Sequence, residues 1–134
     1  AEVYGAIRSK TFNARLIVLG YPKLFPQTGS FDQLCGGDLV AFRGEGDYLN
    51  DMSALLNNTI SAAATSAGVD FASVDEEFRG HEVCTRRPYI NGPSFTSKLP
   101  QPGSFVRMDD ESFHPNLAGQ AAYARVVNRT LADS

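Results

Sequence analysis

Leu16-Ile17-Val18-Leu19-Gly20 is a short, continuously apolar, β-branched run that stops at a glycine. A strand buried on both faces by flanking helices reads this way, so the run predicts a central parallel strand and an α/β fold. Upstream, Val3, Ala6 and Ile7 at helical spacing predict the end of a helix within Ala1 to Lys10, broken at Asn13. Downstream, Leu49, Met52, Leu56, Ile60, Ala63 and Ala67 recur at three and four residues, with Asp47 able to cap the helix and Gly68 to stop it. Val69 to Val74 then reads as a second strand, its apolar residues alternating with Asp70 and Ser73, and Asp75 to Phe78 follows at its carboxyl end. Strand, helix and strand of these lengths make a βαβ unit, for which a right-handed crossover is expected.

Two long excursions leave the predicted strands at their carboxyl ends. The first, Tyr21 to Gly46, is rich in Pro, Gly and Asp and carries Phe25, Phe31 and Phe42; the second, Arg79 to Glu111, holds Pro88, Pro93, Pro100 and Pro102. In an open α/β sheet that edge is where ligands bind, and long irregular segments are commonly functional or pinned by a disulfide. Each excursion contains one of the two cysteines, Cys35 and Cys84, both flanked by polar or glycine residues. This placement suits a disulfide; two unrelated reduced thiols are the alternative. A bridge would tie the excursions together over the binding edge and would imply an oxidising, secreted setting.

At 134 residues the chain, residues 1–134, is one domain at most and is short for an enzyme with its own closed pocket. A net charge of −3 with scattered basic residues gives no footprint for nucleic acid. No apolar run approaches the roughly 20 residues of a transmembrane helix. Neither cysteine belongs to a C-x-x-C pair and the two histidines lie apart from them, so neither a zinc site nor another cofactor is expected. There is no internal repeat, low-complexity tract or linker.

The chemistry-bearing stretch is Asp109-Asp110-Glu111-Ser112-Phe113-His114-Pro115-Asn116. Pro115 restricts the residue before it to extended conformations, Asn116 is a good N-cap, and Leu117, Ala121, Ala124, Val127 and Leu131 follow at helical spacing. His114 is thus expected on a loop held by a docked helix, with carboxylates just upstream. Those are the requirements of a general base: an imidazole able to change protonation near neutral pH and an acceptor to fix its tautomer. A surface histidine after an acidic loop is the plainer reading. His81, after the second strand, suits a structural or substrate-lining role, and Tyr21 and Pro22 either shape a pocket floor or simply end the first strand.

The phrases Ile17 to Pro26, Phe78-Arg79-Gly80-His81-Glu82-Val83-Cys84, Pro88-Tyr89-Ile90-Asn91-Gly92, and Ser112 to Asn116 with Gly119-Gln120 occur in an order that resembles the SGNH, or GDSL, hydrolase family. They look most like its secreted actinomycete lipases and esterases. The resemblance runs from Tyr4 to the last helix and corresponds to the carboxyl-terminal half of the family's domain. It implies a flavodoxin-like three-layer α/β/α fold with a parallel sheet, an ester or lipid substrate, and a disulfide like that of the secreted members, here between Cys35 and Cys84. The family's Asp-x-x-His motif maps His114 onto the general acid/base and Glu111 onto its orienter, with Asp109, Asp110 or a main-chain carbonyl as alternatives.

The family's Gly-Asp-Ser nucleophile and its glycine and asparagine oxyanion blocks have no counterpart here. Gly36-Gly37-Asp38-Leu39 has no serine and falls after the first strand, and no asparagine or serine of the chain is nominated in their place. The expectation is therefore that the nucleophile lies on an amino-terminal segment or second chain preceding Ala1, and that this chain alone is inactive. The alternative is a binding or interaction module that kept the fold and lost the chemistry.

Overall fold

A computed structural model describes residues 2–11, 13–26, 45–94 and 109–133. The described elements are α1 (Glu2–Arg8), β1 (Ile17–Leu19), α2 (Glu45–Ser66), β2 (Asp70–Ala72), the single turn α3 (Asp75–Phe78) and α4 (Leu117–Ala132). The two strands are parallel, with Ile17 opposite Asp70, Val18 opposite Phe71 and Leu19 opposite Ala72. The predicted β-α-β order is thus present, although α2 starts before Asp47 and both strands are shorter than expected.

Side-chain alternation sorts the sheet into two faces. Val18 and Phe71 point one way, and the ring of Phe71 lies against Gly20 together with Asn57 of α2. Ile17, Leu19 and Ala72 belong to the other side, in a core with Val74, Phe78, Ile90, Ala122 and Val126 that α4 completes. A helix on each side of a parallel sheet is the three-layer α/β/α arrangement. The residues of β1 are each only half-buried, because among the described residues β1 pairs with β2 alone. The expectation of full burial on both faces therefore does not hold within the described residues.

Both long helices bury residues outside their predicted apolar stripes. In α4 the buried positions are Gly119, Ala122 and Val126, whereas Leu117, Ala121, Ala124 and Leu131 are exposed and Val127 is half-buried. The cause is backbone approach: a β-carbon on Gly119 would collide with the Tyr89 carbonyl oxygen, so only this glycine lets α4 seat there. In α2, Met52 and Leu56 are exposed, and the inward positions include two buried asparagines. The Asn57 amide accepts from Tyr21 N–H and donates to Tyr21 C=O, both at 2.7 Å. Asn50 repeats the arrangement two turns earlier, accepting from Leu24 and Phe25 N–H at 3.0 and 3.2 Å and donating to Phe25 C=O at 2.8 Å. A helix thereby satisfies the backbone beyond β1 as a neighbouring strand would.

Two further ties close the frame. Gly68, with φ +63°, ends α2, and Arg8 of α1 donates to the Ala67 and Gly68 carbonyls there, a cation on a helix carboxyl terminus. Ser94 and Asp109 bond to each other through side chains and through Asp109 N–H to Ser94 C=O at 2.8 Å, while Ser94 N–H donates to Ser112 Oγ at 3.0 Å. Among the described residues no polar side-chain atom is buried without a partner. No described helix is long and apolar enough to cross a membrane.

Asn57→Ala should destabilise the protein by about 1–2 kcal/mol, since it removes the partner of two part-buried backbone groups of Tyr21, whereas Asn58→Ala on the exposed side should change stability by less than about 0.5 kcal/mol. Paired urea midpoints check this, and equal effects would refute the two-bond reading. Gly119→Ala should cost more than about 2 kcal/mol, reversing the roughly 1 kcal/mol gain that alanine normally brings to a helix interior. A stabilised Gly119→Ala protein would show that Tyr89 does not fix the helix.

Candidate functional site

His114 lies where the sequence expects it, immediately before a capped helix. Asn116 takes the extended N-cap conformation and its side chain accepts from Gly119 N–H at 3.0 Å, while its amide donates to Pro88 C=O at 2.8 Å. The helix runs antiparallel to the strands. Near its start Tyr123 donates to the carbonyl of Gly20, just past β1, and at its far end the Leu131 carbonyl receives Arg15, just before β1. The amino terminus of α4, and His114 with it, therefore lies toward the carboxyl ends of the strands, the edge expected to bind ligands.

The histidine loop is clamped to the segment Tyr89–Asn91. Asn116 N–H donates to Tyr89 C=O at 2.9 Å, Asn91 N–H to His114 C=O at 2.9 Å, and Phe113 N–H to Asn91 C=O at 3.2 Å, around an antiparallel bridge between Ile90 and Pro115. His114 N–H closes a tight turn on Glu111 C=O at 3.1 Å. Phe113, the third residue of that turn, has φ +62°, a left-handed conformation usually left to glycine or asparagine. Its ring rests against Phe25, with centroids 5.7 Å apart, which ties the turn to the segment following β1. Against this fixed backbone the His114 side chain is exposed and makes no hydrogen bond among the described residues. Neither ring nitrogen has a partner among the described residues.

The expected orienters are placed differently from one another. The Glu111 carboxylate forms no hydrogen bond to the imidazole; the link between the two residues is the backbone bond of the turn. Asp109 is engaged with Ser94. Asp110 is exposed at the start of the turn. Cys84 is disulfide-bonded and Cys35 lies outside the described residues, so their pairing remains an expectation. Among the described residues no cluster of His, Cys, Asp and Glu could hold a metal ion.

His81 is a packing residue. Its ring stacks on Tyr89 with centroids 3.8 Å apart and planes 2° from parallel, and its Nδ1–H donates to Arg87 C=O at 2.7 Å. The Arg125 guanidinium approaches the same tyrosine ring, 5.9 Å from its centroid, and pairs with Glu77, which also takes Arg129. Hydrogen bonds from Arg125 first, then Arg129, hold the Glu77 carboxyl below its ordinary pKa. That contribution is present above the ordinary carboxylate pKa and is lost as pH falls through the lowered one. Burial, with lesser contributions from Tyr21 and Asp75, pushes the Tyr123 hydroxyl up to about 12, so it stays a neutral donor to Gly20.

A cleft of about 600 Å³ opens at the same edge, lined by Lys23 and Pro26 after β1 and by Ser73, Asp75, Phe78 and Arg79 after β2. Neither Tyr21 nor His114 is among its described lining residues, so Tyr21 does not form its floor; Pro22, though buried, is not in the lining either. Sequence reasoning missed the roles of Tyr89, Asn91 and Asn50. A lone glycine inside the last helix was the one available signal, since such glycines often mark close backbone approach.

No family model matches the chain. It is 30% identical over 127 residues to lipase 1 of Streptomyces coelicolor, an alignment covering 94% of this chain and 41% of that relative. Among solved structures it is similar to the extracellular lipase of Streptomyces rimosus, with a TM-score of 0.73, 28% identity, and coverage of 96% of this chain and 47% of that one. It is likewise similar to phospholipase A1 of Streptomyces albidoflavus, with a TM-score of 0.71, 30% identity, and coverage of 96% and 48%. Matched along almost its full length by sequence and by fold, yet spanning less than half of each of these relatives, the chain is similar to these Streptomyces lipases, which are SGNH, or GDSL, hydrolases.

Proposed function

We propose that the chain is the carboxyl-terminal part of a secreted SGNH-type serine ester hydrolase, acting on acyl or lipid esters, in which His114 is the general acid/base. The observation that carries this reading is the contrast at His114 itself. Its backbone is hydrogen-bonded on both sides to Asn91 and Glu111, and its exposed imidazole is uncommitted among the described residues. Structural histidines look like His81, with the ring stacked and bonded. The lipase and phospholipase relatives support ester substrates.

The serine would come from the part of the family's domain that this sequence does not contain, on the same polypeptide or on a second chain. The edge of β1 that is unpaired among the described residues and the exposed apolar residues Tyr48, Met52 and Leu55 on α2 support further elements of that domain packing there. In the reaction, His114 takes the serine hydroxyl proton as its oxygen attacks the acyl carbon. The tetrahedral intermediate then collapses, and His114 returns the proton to the departing alcohol. Water repeats the sequence on the acyl-enzyme, releasing the acid and restoring the serine. Glu111 is the proposed orienter of the imidazole, its carboxylate having no other partner among the described residues. No cofactor is required for these steps.

In the complete protein, hydrolysis of a nitrophenyl ester should be abolished by a serine-directed phosphonate, and His114→Ala should lower kcat by about a thousandfold or more. Full activity in His114→Ala would overturn the assignment, and phosphonate-insensitive protein without esterase activity would favour a binding module. Glu111→Gln should lower kcat about tenfold with KM nearly unchanged; an unaltered rate would leave the orienting role to a main-chain carbonyl or to Asp110. Alkylation before and after reduction, followed by intact-mass measurement, should show Cys35 and Cys84 protected until reduced. Both labelled without reduction would remove the disulfide and, with it, the argument for secretion.

A further inference from the structure

We propose that Asn91 is the positioning residue for His114, setting the imidazole's direction through the turn that carries it. Asn91 bonds to the turn at three points. Its N–H donates to His114 C=O at 2.9 Å, its C=O accepts from Phe113 N–H at 3.2 Å, and its side-chain Nδ2 donates to Glu111 C=O at 3.3 Å. One residue therefore holds the first carbonyl of the turn, the amide of its third residue and the carbonyl of its last.

The turn needs such a holder. Phe113 occupies a left-handed conformation without being a glycine, a state that persists only where surrounding contacts over-determine it. Glu111 C=O is shared between His114 N–H and the Asn91 amide, so the side chain of Asn91 fixes the plane of the peptide from which the turn starts. The two main-chain bonds remain available to Ala or Asp at position 91, whereas the amide bond to Glu111 does not. Asn91 is itself held, being next to Ile90, which is almost fully buried and bridges to Pro115. The holder is therefore anchored in the core while the held imidazole projects from it, which is how a reacting group is preorganised by a supporting residue it does not use in chemistry.

The kinetic part of the test rests on the reading of His114 as general acid/base; the spectroscopic part does not. In the full-length protein labelled with 15N-histidine, the ring signals of His114 should shift and broaden in both Asn91→Ala and Asn91→Asp, neither of which can donate to Glu111 C=O. The ring signals of His81, stacked on Tyr89 outside the turn, should stay in place and report the intact fold. In the same variants kcat for ester hydrolysis should fall about tenfold while KM stays within about twofold, the pattern of a misdirected base rather than a lost binding contact. Unchanged His114 signals in both variants would overturn the proposal. Loss of the native signals of both histidines in both variants would also overturn it, by assigning Asn91 to the fold as a whole. If the wild-type protein hydrolyses no ester, the functional reading fails, and the His114 ring signals still decide the role of Asn91.

Discussion

The carbonyl of Tyr89 is the point on which the site depends. It accepts the N–H of Asn116 at the helix N-cap and occupies the space beside Gly119 where any β-carbon would stand. One main-chain oxygen thus sets both the depth and the rotation of α4, and through Pro115 the position of the loop before it. Tyr89 is in turn fixed by its own ring, packed edge-on to Phe78 at 5.6 Å and face-on to His81. Individually these ring contacts contribute about 1 kcal/mol, but they act on the same residue, so displacement of one requires displacement of the others.

The second organising device is polar and buried. Asn50 and Asn57, seven residues apart on one helix face, hold the backbone from Tyr21 to Phe25 through five hydrogen bonds in total. Buried amides with every partner in place specify a single register more sharply than apolar contacts of equal area, because a shift by one residue leaves donors and acceptors unmatched in a poorly solvated setting. The segment that carries Phe25 to its contact with Phe113 is positioned in this way, which connects the first strand to the histidine loop.

Much of this plan was legible in the sequence. Leu16 to Gly20, the long helical stretch and Val69 to Val74 gave the parallel βαβ unit, and Pro115-Asn116 gave the capped helix after His114. The rotations of the helices were not legible. Counting apolar spacing assigns Met52, Leu56, Leu117 and Ala121 to the interior, but α2 turns its asparagines inward because they complete backbone hydrogen bonds, and α4 turns Gly119 inward because a carbonyl lies there. Neither is a property of hydrophobic period; both depend on which main-chain groups arrive from elsewhere in the fold. The hydrogen bond observed between Glu111 and His114 is likewise from backbone to backbone, which residue spacing alone does not specify.

Each excursion contains or borders a polar staple between residues distant in sequence. Phe25 is bonded to Asn50 across the first, and Ser94 to Asp109 and Ser112 across the second. Closure of a loop whose ends are already fixed grows only logarithmically with its length, each doubling adding about 0.6 kcal/mol. The span closed by each staple can therefore change length at small cost to the described frame. On the proposed reading of His114, the frame that holds it and the lengths of the spans around it can change independently.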